Sequence, residues 1–295
     1  VPDGRVILIA GATASGKSAL ALEVALALGG ELVSVDSAAV YRGLDVGTDK
    51  PDALARRAVA HHLLDVADPF ERFTLAAFLA QARAALDRIA AAGRPAVLVG
   101  GTGLYARALV EGYLPQAPAD PALRRALDAA REREGAEALW RRLAAADPAA
   151  AARLAPRDGV RVQRALERLA QGGAPGTVDP ALSLVGRVEA FVLDVDPPVL
   201  AARIDARARS HVERGLLDET LRILGRGVPP QAGALRSIGY REAVAWARGL
   251  ATADEVVART ARATRQLAKR QRTWWRAVAW AVHGGADEVR RRLIG

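Results

Sequence analysis

The chain contains no cysteine and no methionine. Without cysteine there are no disulfides, no thiolate nucleophile and no cysteine-built zinc site. Its four histidines offer little in exchange. His61 and His62 are adjacent, and adjacent side chains on a strand or helix point apart, so they make a poor metal pair. Aromatic residues are only 4% of a sequence that is 51% hydrophobic, so Ala, Leu and Val must build the core. Long apolar runs are missing too: Lys17 and Glu23 interrupt the N-terminal one, and no 18-residue membrane-spanning stretch exists. No signal peptide is visible, and the expected compartment is the cytoplasm. Acidic charge is also short. There are 33 Asp and Glu against 42 Lys and Arg, a net charge of +9. Such a balance points to a polyanionic partner, although composition bias alone can produce it, so the placement of the charges matters.

What is present is organised. The 295 residues allow one or two domains. Val6-Ile7-Leu8-Ile9-Ala10 is a short apolar run ending at a glycine loop, and Ser18 to Leu28 reads as a helix stopped by Gly29-Gly30. Leu32-Val33-Ser34-Val35 is a second strand, ending at Asp36-Ser37. Thr74 can cap a helix to about Ala92, closed by Gly93 and Pro95. A third strand, Ala96-Val97-Leu98-Val99, runs into Gly100-Gly101-Thr102. Continuous apolar strands separated by helices imply a parallel sheet covered on both faces. From about Leu114 the character changes. Pro115, Pro118 and Pro121 mark a linker, short Arg/Glu/Ala-rich helices follow, and Gly172-Gly173-Ala174-Pro175-Gly176 closes the region. Val188 to Leu193 then looks like a returning strand. The expected plan is an α/β core over 1–113, a helical insertion over 114–187, and core completion with basic helices over 188–295.

Gly11-Ala12-Thr13-Ala14-Ser15-Gly16-Lys17-Ser18 matches G-x-x-x-x-G-K-[ST] between a strand and a helix, as a phosphate-binding loop requires. Its glycines let backbone N–H groups turn inward toward anionic oxygens, and the helix N-terminus adds a positive pole. Lys17 brings a mobile charge, and the Ser18 hydroxyl suits Mg²⁺. Such a loop usually means ATP or GTP, yet it specifies the anion more than the molecule carrying it. Asp36, at the end of the second strand, reads as a water-mediated Mg²⁺ partner, a general base or a turn residue. Gly100-Gly101-Thr102-Gly103 reads as a close-approach site with one hydroxyl, or as a plain turn. Near the C-terminus, Arg262, Arg265, Lys269, Arg272 and Arg276 recur at alternating spacings of three and four, on one helix face beside Trp274 and Trp275. A basic face with aromatics fits phosphate contacts and base stacking; a solvated face or a pair of core tryptophans is the plainer reading.

Six segments, VSVDSAAVYRGLDVGTDKP, HHLLDV, VGGTGLYARALVEG, RVQRALE, RSIGYRE and TRQLAKRQRTWWR, resemble in that order the motifs of the tRNA dimethylallyltransferase family, the bacterial-type tRNA isopentenyltransferases. The likeness runs from Val6 to about Arg276. It implies a P-loop NTPase-like parallel sheet core with a helical insertion domain. It also implies transfer of a dimethylallyl group from dimethylallyl diphosphate to N6 of the adenosine on the 3′ side of the anticodon, in tRNAs reading codons that start with U. By this resemblance Gly11 to Ser18, with Lys17, hold the diphosphate, and Ser18 takes Mg²⁺. Asp36 is the general base, Thr102 lies in the substrate channel, and Arg207 clamps the diphosphate, with Arg203 and Arg209 on the same helix as rivals. Ala12, Leu44 and Val46 depart from the family pattern without removing a functional group.

The resemblance further implies tRNA contacts. They fall at Asp36-Ser37-Ala38-Ala39, Thr102, Arg124, Val160-Arg161-Val162-Gln163-Arg164, Arg236-Ser237-Ile238-Gly239-Tyr240-Arg241 and Lys269-Arg270-Gln271-Arg272-Thr273-Trp274-Trp275-Arg276. The insertion would grip the anticodon stem-loop, and a monomer would suit one RNA arm. The target base would leave its stack to reach Asp36, adenosine and diphosphate entering from opposite ends. A P-loop kinase using ATP, an adenylate isopentenyltransferase and a non-catalytic RNA-binding protein are the rival readings. The basic segments argue against the first two, and Lys17, Ser18 and Asp36 would be needless in the third.

Overall fold

The computed structural model describes residues 4–114, 120–172 and 177–295. Pro115 and Pro118 of the expected linker, and Gly173, Ala174, Pro175 and Gly176 of the expected closing segment, lie outside these ranges.

The first half of the chain alternates β1 (Val6–Gly11), α1 (Lys17–Leu28), β2 (Glu31–Ser34), α2 (Ala53–Ala58), β3 (His61–His62), α3 (Leu75–Ala91), β4 (Ala96–Gly100) and α4 (Gly103–Val110). There follow β5 (Tyr113–Leu114), helices α5 (Pro121–Glu134), α6 (Ala136–Ala146), α7 (Pro148–Ala152) and α8 (Gly159–Ala170), and β6 (Thr177–Val178). The last part holds β7 (Val188–Leu193), α9 (Pro197–Glu213), α10 (Leu216–Gly225), α11 (Tyr240–Ala247), α12 (Ala253–Arg276), β8 (Val282–Gly284) and α13 (Ala286–Ile294).

Six of the strands make one sheet in the order β3-β2-β4-β1-β7-β8, every pairing parallel. All six residues of β1 are buried, which is why that strand is uniformly apolar. The expected sheet is therefore present, with two further edge strands that the sequence does not announce. β3 consists of two histidines and carries no apolar signal. It is held by pairing with Leu32 and Val33, and by His62 Nε2 lying 2.7 Å from Glu31 Oε2, while His61 Nδ1 turns instead to the Val59 carbonyl at 2.8 Å. The two rings diverge, as a strand requires. Ile7, Ile9, Val24, Val97 and Leu293 form the core between the sheet and helices α1 and α13.

The helix ends obey local chemistry. Gly29, at φ 62°, stops α1 in the left-handed conformation. Thr74 Oγ1 accepts the Ala77 N–H at 3.2 Å to start α3. Thr252 and Glu255 exchange backbone N–H groups in a capping box at the start of α12. A second cluster, including Val40, Tyr41, Leu44, Leu216 and Tyr240, packs the loop after β2 against α10 and α11. There the buried Glu219 accepts the N–H groups of Asp45 and Val46 at 3.1 and 3.0 Å, and Tyr240 hydrogen-bonds both Glu219 and the Gly47 N–H. A Cβ on Gly47 would lie 2.6 Å from the Tyr240 ring, so the loop needs glycine there.

The chain divides into two compact units. One carries the chain up to Gly112 and again from Asp179 to Gly295; the other is Tyr113–Val178. The second unit has its own core of Leu127, Leu139, Leu143 and Val162, closed by the β5–β6 pair. Residues 179–187 belong with the first unit, because Asp179 donates to the Gly112 carbonyl at 3.0 Å and Leu184 to that of Val110 at 2.7 Å. Among the described residues no helix is long and apolar enough to cross a membrane.

Candidate functional site

The β1–α1 loop curls as its sequence demands. Gly11 and Gly16 have φ of 147° and 90°, and Ala14 is left-handed at 63°, a conformation costing a non-glycine residue about 1 kcal/mol or more. A Cβ on Gly11 would meet Ser15 Oγ at 3.0 Å and the Leu193 carbonyl at 3.1 Å. Lys17 opens α1 and donates to the Ala12 carbonyl at 3.2 Å. Burial, then repulsion from Arg207, lowers the Lys17 pKa to about 8, against the pull of the Asp36 charge. Ser18 follows on the first turn, exposed, beside the positive pole of the helix. Ammonium, guanidinium and helix pole converge on one loop, an arrangement that an anion would satisfy.

Asp36 uses one oxygen structurally. Its Oδ1 accepts the N–H groups of Ala38 and Ala39 at 2.7 and 3.1 Å, which makes the turn. No described residue donates to Oδ2, so the turn reading and a chemical role occupy different oxygens of one carboxylate. The glycine run after β4 is a close-approach site. A Cβ would lie 2.0 Å from the Val35 carbonyl at Gly100, 2.5 Å from the Gln271 amide at Gly101, and 2.4 Å from the Trp274 ring at Gly103. Thr102 sits at the start of α4, and no described residue hydrogen-bonds its hydroxyl.

Gln271, expected among the RNA-facing residues, instead joins the two loops. Its Oε1 accepts the Thr13 N–H at 2.9 Å and its Nε2 donates to the Gly101 carbonyl at 2.8 Å. Of the three candidate arginines on α9, Arg207 reaches the loop, donating through Nη1 to Thr13 Oγ1 at 3.3 Å. Arg203 lines the same cavity, and Arg209 is exposed. Nothing local in the sequence marks Asp49, yet it pairs with the Nε of Arg207, with His211 Nε2 at 2.9 Å and with Arg214. Burial works to raise the Asp49 pKa, but the His211 hydrogen bond, the Arg207 charge and Arg214 overcome it and hold the carboxyl well below its usual range.

Two cavities open on this constellation. One, of about 660 Å³, is lined by Lys17 and Ser18 of the loop together with Lys50 and Arg203. The other, of about 500 Å³, is lined by Thr102, Leu104, Arg236, Ser237, Arg270 and Trp274. Thr13, Asp36, Thr48, Gly101, Arg207 and Gln271 line both, so the loop and Asp36 form a common wall.

The remaining expected RNA contacts separate by exposure. Arg262, Lys269, Arg272 and Arg276 on α12 make no ion pair with described residues, whereas Arg265 pairs with Asp205 of α9, an acidic partner that α12's own sequence does not reveal. Trp274 faces the smaller cavity. Trp275 is fully buried, packed edge-on to Trp274 and Trp280 at ring separations of 4.9 and 6.4 Å, so it is a core anchor. Ser37, Ala38 and Ile238 line the smaller cavity and Ala39 the larger, while Lys269 and Thr273 are exposed. Gly239, at φ 94°, opens α11; Tyr240 is buried, and Arg241 donates to Glu242 at 2.6 Å.

In the second unit Val160 and Arg161 are exposed, but Val162 is buried and the buried Gln163 donates to Asp128 at 3.0 Å. Arg124 grips Glu167 through two bonds of 2.8 and 2.7 Å, and Arg164 adds a third at 2.8 Å. Burial opposes ionisation of Glu167, yet the Arg124 and Arg164 bonds lower its pKa to about 2. Removing Arg124 would leave the buried Glu167 with the half-exposed Arg164 alone, so Arg124 stabilises its unit whatever else it touches.

Several known proteins are similar to this chain. The family model described as IPP transferase matches residues 39–278. A tRNA dimethylallyltransferase of Anaeromyxobacter dehalogenans is 49% identical over 98% of this chain and 99% of its own length. One from Thermomicrobium roseum is 44% identical over 98% and 90%. Among solved structures, the full-length tRNA isopentenylpyrophosphate transferase of Bacillus halodurans superposes with a TM-score of 0.73 at 34% identity, covering 99% of this chain and 95% of that one. A eukaryotic dimethylallyltransferase described as acting on tRNA shares the fold, with a TM-score of 0.76 at 24% identity over 96% of this chain and 74% of its own.

Proposed function

Because this chain belongs to the IPP transferase family, we propose that its two cavities receive the two substrates of tRNA prenylation. Dimethylallyl diphosphate enters the cavity of Lys17 and Ser18. An adenosine of tRNA enters the cavity of Thr102, Arg236 and Trp274. The observation that carries this reading is the common wall: Asp36, Thr13 and Arg207 line both cavities, so the reacting atoms can meet there without crossing protein.

The chemistry follows from what those groups can do. The N6 amine is a weak nucleophile because its lone pair is delocalised into the ring. As N6 bonds to the first carbon of the allyl group, the carbon–oxygen bond to diphosphate breaks, and the electron pair leaves with diphosphate. Asp36 Oδ2 accepts the N6 proton, which returns the product to a neutral amine. Lys17, Arg207 and the loop N–H groups oppose the charge growing on the leaving oxygen. Thr102 has a hydroxyl free to orient the base.

Mg²⁺ suits the donors present, because the exposed Ser18 hydroxyl and diphosphate oxygens are hard ligands. Among the described residues there is no cluster of three His, Asp or Glu to offer a site of another kind. When bound it would neutralise diphosphate charge. The acceptor is the adenosine on the 3′ side of the anticodon in tRNAs reading codons that start with U, met by one chain per RNA arm. The exposed α12 arginines and the second unit favour tRNA over a free nucleotide.

The test uses Mg²⁺, labelled dimethylallyl diphosphate and an anticodon stem-loop with a run of adenosines. Label enters the RNA without ATP, and Asp36→Asn lowers turnover by about 10²–10⁴-fold while leaving RNA binding intact. A requirement for ATP, or label found only in free AMP, removes the reading. Loss of RNA binding in Asp36→Asn removes the base role.

A further inference from the structure

Arg207 is held from behind. Its Nε faces Asp49, its Nη1 bonds Thr13 in the loop, and no described residue pairs with its Nη2. A guanidinium pinned at Nε presents its far edge, the two Nη groups, and Arg207 lines both cavities. Without a tether this orientation is unfavourable. Arg207 repels Lys17 across the loop, and its side chain, 30% exposed, has a path to solvent.

The tether is itself fixed from several sides. Asp49 adopts φ 48°, a left-handed conformation that Asp and Asn tolerate better than other non-glycine residues. Its Oδ2 is shared with His211 at 2.9 Å, a buried ring whose Nδ1 has no partner among the described residues and whose Nε2 also lies 3.4 Å from Arg207 Nε. Its Oδ1 takes Arg214, a second cation that follows α9 directly. One carboxylate thus registers α9 against the loop after β2.

We propose that Asp49 is a positioning residue for the prenyl diphosphate, acting through Arg207 by holding its Nη edge toward the phosphate loop. The inference rests on the donor-site assignment above. Asp49 lines the donor cavity, but its two oxygens are taken by Arg207, His211 and Arg214, so it acts through the guanidinium. It decides whether the clamp is preformed, and its loss weakens diphosphate binding only while Arg207 is there to be misplaced.

A double-mutant cycle tests this, with inorganic pyrophosphate and Mg²⁺ titrated calorimetrically in the absence of RNA. Asp49→Asn keeps the shape and the left-handed preference and removes the charge. It weakens pyrophosphate by roughly tenfold or more, the scale expected of a misplaced clamp. Arg207→Ala weakens it too, and the double variant is no weaker than Arg207→Ala alone. Additive losses, or unchanged affinity in Asp49→Asn, overturn the proposal. Asp49→Gly, which relaxes the backbone, repeats the measurement if the Asn chain misfolds, and the same outcomes decide. Because no RNA is present, failures separate. A chain with the coupled loss that cannot prenylate tRNA keeps the Asp49 role and loses the proposed reaction. A prenylating chain with additive losses does the reverse.

Discussion

Lys17 binds its anion with a proton at stake. Burial and Arg207 bring its pKa to about 8, so at that pH the free chain holds the ammonium half-protonated. A bound diphosphate favours the charged form and raises the pKa again. Binding therefore takes up a proton, and affinity falls as pH rises through 8. An unreactive dimethylallyl diphosphate analogue has finished titrating by then, since a terminal phosphate ionises near pH 6. Its Kd should be about tenfold weaker at pH 9 than at pH 7, the fraction of Lys17 still charged falling by that factor. Lys17→Gln should bind weakly at both, with no pH dependence, and a wild-type Kd flat across this range would show that Lys17 is charged throughout. Lys17 and Asp36 were legible in sequence because the first completes the glycine-loop motif after one apolar strand and the second follows the end of another, where such sheets bind ligands. Gln271 and Asp49 were not. Gln271 serves groups 258 and 170 residues away, and Asp49 is anchored by a helix 162 residues downstream. No local pattern encodes a partner at that distance.

Helix α12 joins a buried face to a charged one. Ala268 and Trp275 point into the core, Gln271 bridges the two loops, and Lys269, Arg272 and Arg276 remain without acidic partners among the described residues. The three-and-four spacing made the helix and its basic face readable, because helical periodicity is the strongest signal a sequence carries. It could not tell Trp274 from Trp275, since adjacent residues on a helix diverge and only packing chooses which goes inward. Strands β3 and β8 were unreadable for a related reason: two or three residues of His, Val and Gly at a sheet edge have no period to detect. If the free arginines of α12 neutralise RNA phosphates, Arg272→Ala with Arg276→Ala should weaken stem-loop binding. It should also make the slope of log K against log salt shallower by roughly 0.7–0.9 for each phosphate no longer neutralised. An unchanged slope would return this face to ordinary solvation.

At the scale of the molecule, the interruption of the first unit by the second is the main organisational fact. The chain leaves at Gly112 and returns at Asp179, whose N–H bonds the Gly112 carbonyl at 3.0 Å, so the two ends of the excursion are already adjacent. The second unit buries its own leucines and carries its own Arg124–Glu167–Arg164 pairing. Both cavities, the phosphate loop and Asp36 are built from the first unit alone. Closing the gap with a short Gly/Ser loop in place of Tyr113–Val178 therefore removes no residue of the diphosphate site, and the entropy of a short closure is small. The shortened chain should melt cooperatively and bind pyrophosphate with the affinity of the full chain. Its affinity for the anticodon stem-loop should fall well below that of the full chain, because the second unit's exposed arginines go with it. Undiminished RNA affinity would take the gripping role away from residues 113–178 and leave the stem-loop to α12 and Arg236. Loss of pyrophosphate binding in a chain that still folds would mean that the second unit holds the donor site in shape as well.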